Sequence, residues 1–450
     1  MYIGFDYGTS NCSIAHMLDG VPTPVAVEGD NIYIPSTLSA PTRESVTEYL
    51  FRFCQIKPSD KIGEDLLRRA LAFNHDEGIE LEARDVNFGQ AALNHYLQDP
   101  QFTYYVKSPK SFLGSMGLRD IQIRFFEDLV CAMMANIKRQ GEARLGQTID
   151  DAVIGRPIHF QGRGGVESDR QAEAILRQAA SRAGFRHIEF QFEPVAAGLE
   201  YEASLTEDKN VLVVDIGGGT TDCSLLQMGP SWKDKSDRSA SLLAHTGERV
   251  GGNDLDIHIS FRQLMPALGF GSKMLSGIEM PITQFWNPVA INDLPAQTDF
   301  YAKENMAALR MLHKEAQQPE KLARLIEVYQ EILGHGVVRR AEEAKIGLSS
   351  AATYRATLDF LRDVVELDIQ QNDMMNAIEV PKAKMMRLVS DALEQGGTKP
   401  DVIYMTGGSA KSPILKAAVA QVLPGVEVVS GNDFGSVTAG LARWAQICFR

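Results

Sequence analysis

Two short stretches carry the residues that could do chemistry in this 450-residue chain, and they are almost the same stretch. Asp6-Tyr7-Gly8-Thr9-Ser10-Asn11-Cys12-Ser13 returns as Asp215-Ile216-Gly217-Gly218-Gly219-Thr220-Thr221-Asp222-Cys223-Ser224, with two extra glycines. Glycine at a hairpin bend tolerates positive φ and lets an anion approach the backbone, so N–H groups and hydroxyls can converge on a phosphate. A carboxylate closing the strand before the bend can hold the magnesium that travels with phosphates. One Asp-x-Gly alone reads as an ordinary turn. Its ordered repetition predicts two jaws facing one nucleotide.

Jaws need stiff elements behind them. Tyr2-Ile3-Gly4-Phe5 and Val211-Leu212-Val213-Val214 are β-rich runs entering each bend, which reads as strand, turn, strand. Asp151 to Pro157 has a buried-strand pattern. Ala172, Ile175, Leu176, Ala179 and Ala183 keep a helical period, with Ser168 or Asp169 as N-cap and Gly184 as the stop. Ile188, Phe190 and Phe192 alternate as a strand that exits at Glu193-Pro194, with proline in the first turn of a helix. A short helix is predicted over Leu66 to Phe73, another over Ile123 to Ile137. Near the end, Val402 to Met405 is a buried strand opening into Thr406-Gly407-Gly408-Ser409. Ser412 then caps a helix with Pro413 at its first position, so the turn offers N–H groups and a helix dipole to an anion or ribose. Strands alternating with helices predict an α/β protein.

Composition narrows the partners. A net charge of −13 with scattered Lys and Arg argues against nucleic acid or an anionic membrane. Met1 leads directly into the first strand and no apolar run is long enough to span a bilayer. Five dispersed cysteines without Cys-x-x-Cys spacing predict reduced thiols in a cytoplasmic protein. Gly141 to Gly146 has P-loop spacing, but Gln147 stands where the lysine must be.

In order along the chain, several segments resemble the Hsp70 family within the actin and sugar-kinase superfamily. They are the two hairpins, Ser108-Pro109-Lys110-Ser111-Phe112-Leu113-Gly114, the loop proline Pro157, Glu193-Pro194-Val195-Ala196-Ala197, Glu342 to Ser349, and Thr406 to Pro413. The resemblance implies a two-lobed actin-like ATPase with a duplicated ribonuclease H-like motif and a nucleotide cleft between the lobes. Lobe I is expected over 1–205, with a peripheral insertion at about 40–105 and completed by 426–450. Lobe II is expected over 206–425, with an enlarged insertion at about 263–336.

The same resemblance implies ATP or ADP with Mg²⁺ as the ligands. Asp6, Glu193 and Asp215 are then metal residues acting through bound water, Lys110 steers the attacking water, Asp215 accepts its proton, and Thr220 touches the γ-phosphate. For Lys110 taken alone, a surface ion pair is the plainer reading. Nucleotide contacts are expected from Gly8, Thr9, Ser10, Asn11, Gly217, Gly218, Gly219, Thr220, Gly251, Gly252, Glu342, Lys345, Ser349, Gly407, Gly408, Ser409 and Lys411. Two positions depart from the family. Ile346 stands where a basic residue packs on the base, forgoing a cation–π contribution of about 0.5 to 2 kcal/mol, and Lys411 stands where arginine is usual.

Because the sequence stops at Arg450, the resemblance implies a chain without the family's peptide-binding domain: a slow Mg-dependent ATPase acting as a chaperone-type switch through an unidentified protein partner or co-chaperone. A small-molecule kinase and an actin-like scaffold are the alternatives from the same superfamily. Phe285 and Trp286 form a locally packed cluster on the plain reading, and contact anchors if exposed.

Overall fold

The computed structural model describes residues 1–160, 165–233, 235, 238–431 and 435–449. It divides into two compact units, Met1–Gly251 with Met385–Arg450, and Gly252–Lys384.

The first unit holds two sheets built to one plan. In the first, Tyr2–Tyr7 pairs antiparallel with Asn11–Leu18, which pairs with Val21–Val25, while Asp151–Arg156 and His187–Phe192 add in parallel on the other side. In the second, Lys209–Ile216, Thr221–Met228 and Leu242–Glu248 form the antiparallel run, and Val402–Thr406 and Glu427–Ser430 add in parallel. In each, the strand that ends in the Asp-x-Gly acid is the central one. A central strand covered on both faces should read as a continuous apolar run. Val211, Leu212, Val213 and Val214 are all fully buried.

Helices Glu193–Glu202 and Gly435–Cys448 lie against each other and serve both sheets. One apolar cluster contains Val153 from the first sheet, Val211, Val213, Val402 and Tyr404 from the second, and Ala196, Ala197 and Leu441 from the helices. Two glycines permit this approach. A Cβ on Gly440 would collide with the Ala196 carbonyl, and one on Gly4 with the Leu441–Ala442 backbone.

The helix expected around Leu66 to Phe73 spans Lys61–Asp76, and that around Ile123 spans Asp120–Leu145. A small sheet joins the two ends of the 40–105 region: Thr37–Ala40 lies between Asn87–Phe88 and Tyr104–Lys107. Neither Ser168 nor Asp169 is an N-cap. The helix starts earlier, at Val166, and the Asp169 carboxylate accepts instead from the Phe160 amide at 2.7 Å. All five cysteines are free, with Cys12 and Cys223 buried in the hairpins. Among the described residues no helix is long and apolar enough to cross a membrane.

The second unit is mainly helical, with one two-stranded sheet, Thr353–Leu358 against Val365–Gln370. Its aromatic segment packs inward: Phe285 is fully buried beside Phe270, and Trp286 stands edge-on to Phe261 and His258. Neither is an exposed anchor, because the segment's apolar bulk closes a local core.

Candidate functional site

The first bend is braced from behind. The Ser36 hydroxyl donates to the Gly8 carbonyl at 2.6 Å, and the Ser36 amide donates to the Ser10 carbonyl at 2.8 Å. Ser36 in turn accepts from the Ser108 amide at 2.8 Å, and Ser108, in a left-handed conformation, redirects the chain so that Lys110 points inward. Lys110 is only 4% exposed and its Nζ donates to Glu193 Oε1 at 2.5 Å. It is therefore a buried partner of Glu193 and no surface ion pair. Glu193 opens its helix at the end of strand His187–Phe192, and the bare Cα of Gly155 leaves room for its side chain.

The second bend meets the first. The Gly217 amide donates to the Thr220 carbonyl at 3.0 Å, closing a tight loop. A Cβ on Gly218 would fall on the Ser10 hydroxyl, so the two loops touch where they were expected to face each other. Behind the second loop, Gly251 sits so close that a Cβ would lie 2.6 Å from the Gly218 carbonyl carbon. Gly407 (φ 87°) lies under Asp215: its missing Cβ would be 2.5 Å from Oδ1. Ser409 Oγ reaches the Gly217 carbonyl at 3.5 Å. Gly8, Gly217 and Gly218 do not have the positive φ anticipated for them. Their lack of a side chain serves close approach instead, since a Cβ on Gly8 would strike the Asn11 carbonyl.

Between the loops the charges are unbalanced. Asp6, Glu193, Asp215 and Asp222 share one field, with Lys110 as the opposing cation. Loss of water and the nearby Glu193 push the half-buried Asp6 up to about 7, against the pull of Lys110. Burial, then Glu193, Asp222 and Asp6, hold Asp215 well above the usual carboxylate range. Burial and Glu193 bring Asp222 to about 8, although its carboxylate accepts from the Ile158 amide at 3.1 Å. An excess of hard oxygen donors is the donor set Mg²⁺ prefers. Among the described residues no group of three or more His, Cys, Asp or Glu side chains is placed to hold a metal ion directly.

Of the remaining expected contacts, Gly252, Glu342, Lys345 and Ser349 belong to the second unit. Lys345, on helix Gly334–Gly347, pairs with the buried Asp256 at 2.7 Å and donates to the Gly252 carbonyl at 3.3 Å. Ser349 donates to the Lys345 carbonyl at 3.0 Å, and Glu342 pairs with Arg339 at 3.1 Å. Ile346, on the same helix, is 61% exposed. In the first unit, Lys411 ends the short turn Gly408–Lys411.

A family model described as "Hsp70 protein" matches residues 116–260, a span containing Glu193, Asp215 and Thr220. Over 99% of its length the chain is also similar to proteins named "Chaperone protein dnaK": 24% identical to that of Gracilaria tenuistipitata var. liui and 23% to that of Guillardia theta. The chain is similar to Hsp70 proteins. It spans about three fifths of the length of these curated relatives, 60% of the first and 59% of the second. The α/β architecture expected from the family is present. The sequence alone passes over two residues that the structure adds to the site. Asp222 is the acid at the place of Asn11 in the repeated motif, so the repeat itself was the signal. Ser36, which holds the first loop, carries no local signal at all.

Proposed function

We propose that the site binds ATP or ADP with Mg²⁺ and hydrolyses ATP slowly, and that nucleotide state is read by a protein partner. The observation that carries this reading is the contact of the two acid-glycine loops at Ser10 and Gly218, with Asp6, Asp215, Glu193 and Lys110 gathered around it. The peptide N–H groups of residues 8–11 and 217–220 would hold phosphates between the loops. Mg²⁺ would supply the positive charge that lets Asp6 and Asp215 shed their protons and would shield the phosphates. Lys110, fixed by Glu193, would orient the attacking water and stabilise charge on the γ-phosphate. As the water oxygen bonds to phosphorus and the bond to the ADP oxygen breaks, the water proton passes to Asp215, leaving ADP and phosphate. Thr220 would contact the γ-phosphate.

On this reading lobe I comprises 1–205 and 426–450, and lobe II comprises 206–425. Five free cysteines suit a reducing compartment such as the cytoplasm. Isothermal titration with MgATP and MgADP, paired with a phosphate-release assay, tests the proposal. Binding with slow release is expected, and no heat at about millimolar nucleotide, the weak end of measurable affinity, would remove it. Phosphate transfer to an added sugar in place of release would favour a kinase.

A further inference from the structure

Thr406 ends strand Val402–Thr406 directly beside Asp215 in the parallel register. Side chains alternate along strands. Val211 and Val213, before Asp215, and Val402 and Tyr404, before Thr406, all join the same core, so Asp215 and Thr406 project from one face of the sheet in one row. Thr406 is 1% exposed, and its hydroxyl is buried with no hydrogen-bond partner among the described residues. Buried hydroxyls are nearly always paired. Valine would fill the same volume without the polar atom, so packing does not call for threonine here. The next residue, Gly407, is the one whose absent Cβ leaves room for the Asp215 carboxylate. That carboxylate therefore lies over the end of the strand that carries Thr406. Adjacent strands are about 4.8 Å apart, which a modest turn of either side chain converts to hydrogen-bond distance.

We propose that Thr406 is a positioning residue: with nucleotide bound, its hydroxyl donates to one oxygen of Asp215 and so aims the other at the attacking water. The inference rests on the nucleotide reading above. Thr406 touches no reacting atom, and the bonds made and broken are those of ATP hydrolysis.

The test compares T406V, T406S and D215N in the full chain. A hydrogen bond to a charged acceptor predicts that T406V lowers kcat about tenfold while the Kd for MgATP changes by less than about twofold. T406S should recover most of the rate, and adding T406V to D215N should cost nothing further, since the acceptor is already altered. A second readout needs no activity. Because the hydroxyl is unpaired without nucleotide, ligand-free T406V should melt at or above the wild-type temperature. A lower melting temperature for T406V with recovery by T406S would show a structural partner and overturn the proposal. So would equal kcat for T406V and wild type while wild type hydrolyses ATP. A wild-type chain that neither binds nor hydrolyses ATP overturns the nucleotide reading, and this inference with it.

Discussion

At the residue scale, the site holds three aspartates, Asp6, Asp215 and Asp222, kept from ionising freely by burial and by the acids around them. Asp215 sits at its centre, so Asp215→Asn should keep nucleotide binding and lower turnover by about 100-fold or more, the usual worth of a general base. Lys110→Ala should act in the same direction and also strand Glu193. Titration calorimetry and phosphate release separate binding from rate, and a large loss of affinity in Asp215→Asn would argue against its assigned role. Asp222 gives a pH prediction. Unfolded, it titrates near 3.8; folded, at about 8. Between those values the folded chain holds a proton that the unfolded chain has lost, so the contribution of Asp222 to stability is greatest below 3.8 and falls as pH rises toward 8. Thermal melts of the nucleotide-free protein should therefore show Tm declining through that window, and Asp222→Asn should flatten the decline. Equal slopes for the two proteins would contradict the burial of this charge.

At the element scale, close backbone approach is the recurring device. Gly218→Ala would place a methyl group on the Ser10 hydroxyl. The loops would have to part, and nucleotide affinity should fall while the melting temperature of the free protein stays near wild type. Gly440→Ala would drive a methyl group into the Ala196 carbonyl, so it should cost about 1 to 3 kcal/mol in urea unfolding, the range for overpacked cores. These elements differ in how legible they are in the sequence. The hairpins are readable because a seven-residue theme occurs twice and each copy follows a β-rich run. The N-cap of helix Val166–Arg182 is not, because Ser168 and Asp169 both have the right chemistry, and a tertiary bond to the Phe160 amide decides what Asp169 does. The aromatic pair Phe285-Trp286 is ambiguous for a similar reason: apolar residues next to a turn look alike whether the partner is another chain or a core a few residues away.

At the scale of the whole molecule, the proposed switch requires nucleotide state to be felt away from the phosphates. Limited proteolysis with MgATP and with MgADP should yield different cleavage patterns in residues 263–336, and indistinguishable patterns would leave a nucleotide site without a switch. Only part of the site reads directly from the order of residues. Asp6 and Asp215 announce themselves by their glycines. The pairing of Lys110 with Glu193 joins residues far apart in sequence and emerges only when strand His187–Phe192 delivers the acid to the lysine.

The hydrogen bond between Ser13 and Thr438, with Gly4 tucked under Leu441 and Ala442, has a consequence for how the protein is made. The central strand of the first sheet, Tyr2–Tyr7, leaves the ribosome well before one of the helices that covers it, Gly435–Cys448. At ~5–20 residues per second, the intervening stretch takes on the order of 20 to 90 s to synthesise. Throughout that interval the face of the nascent sheet that this helix covers waits without it, open to other apolar surfaces.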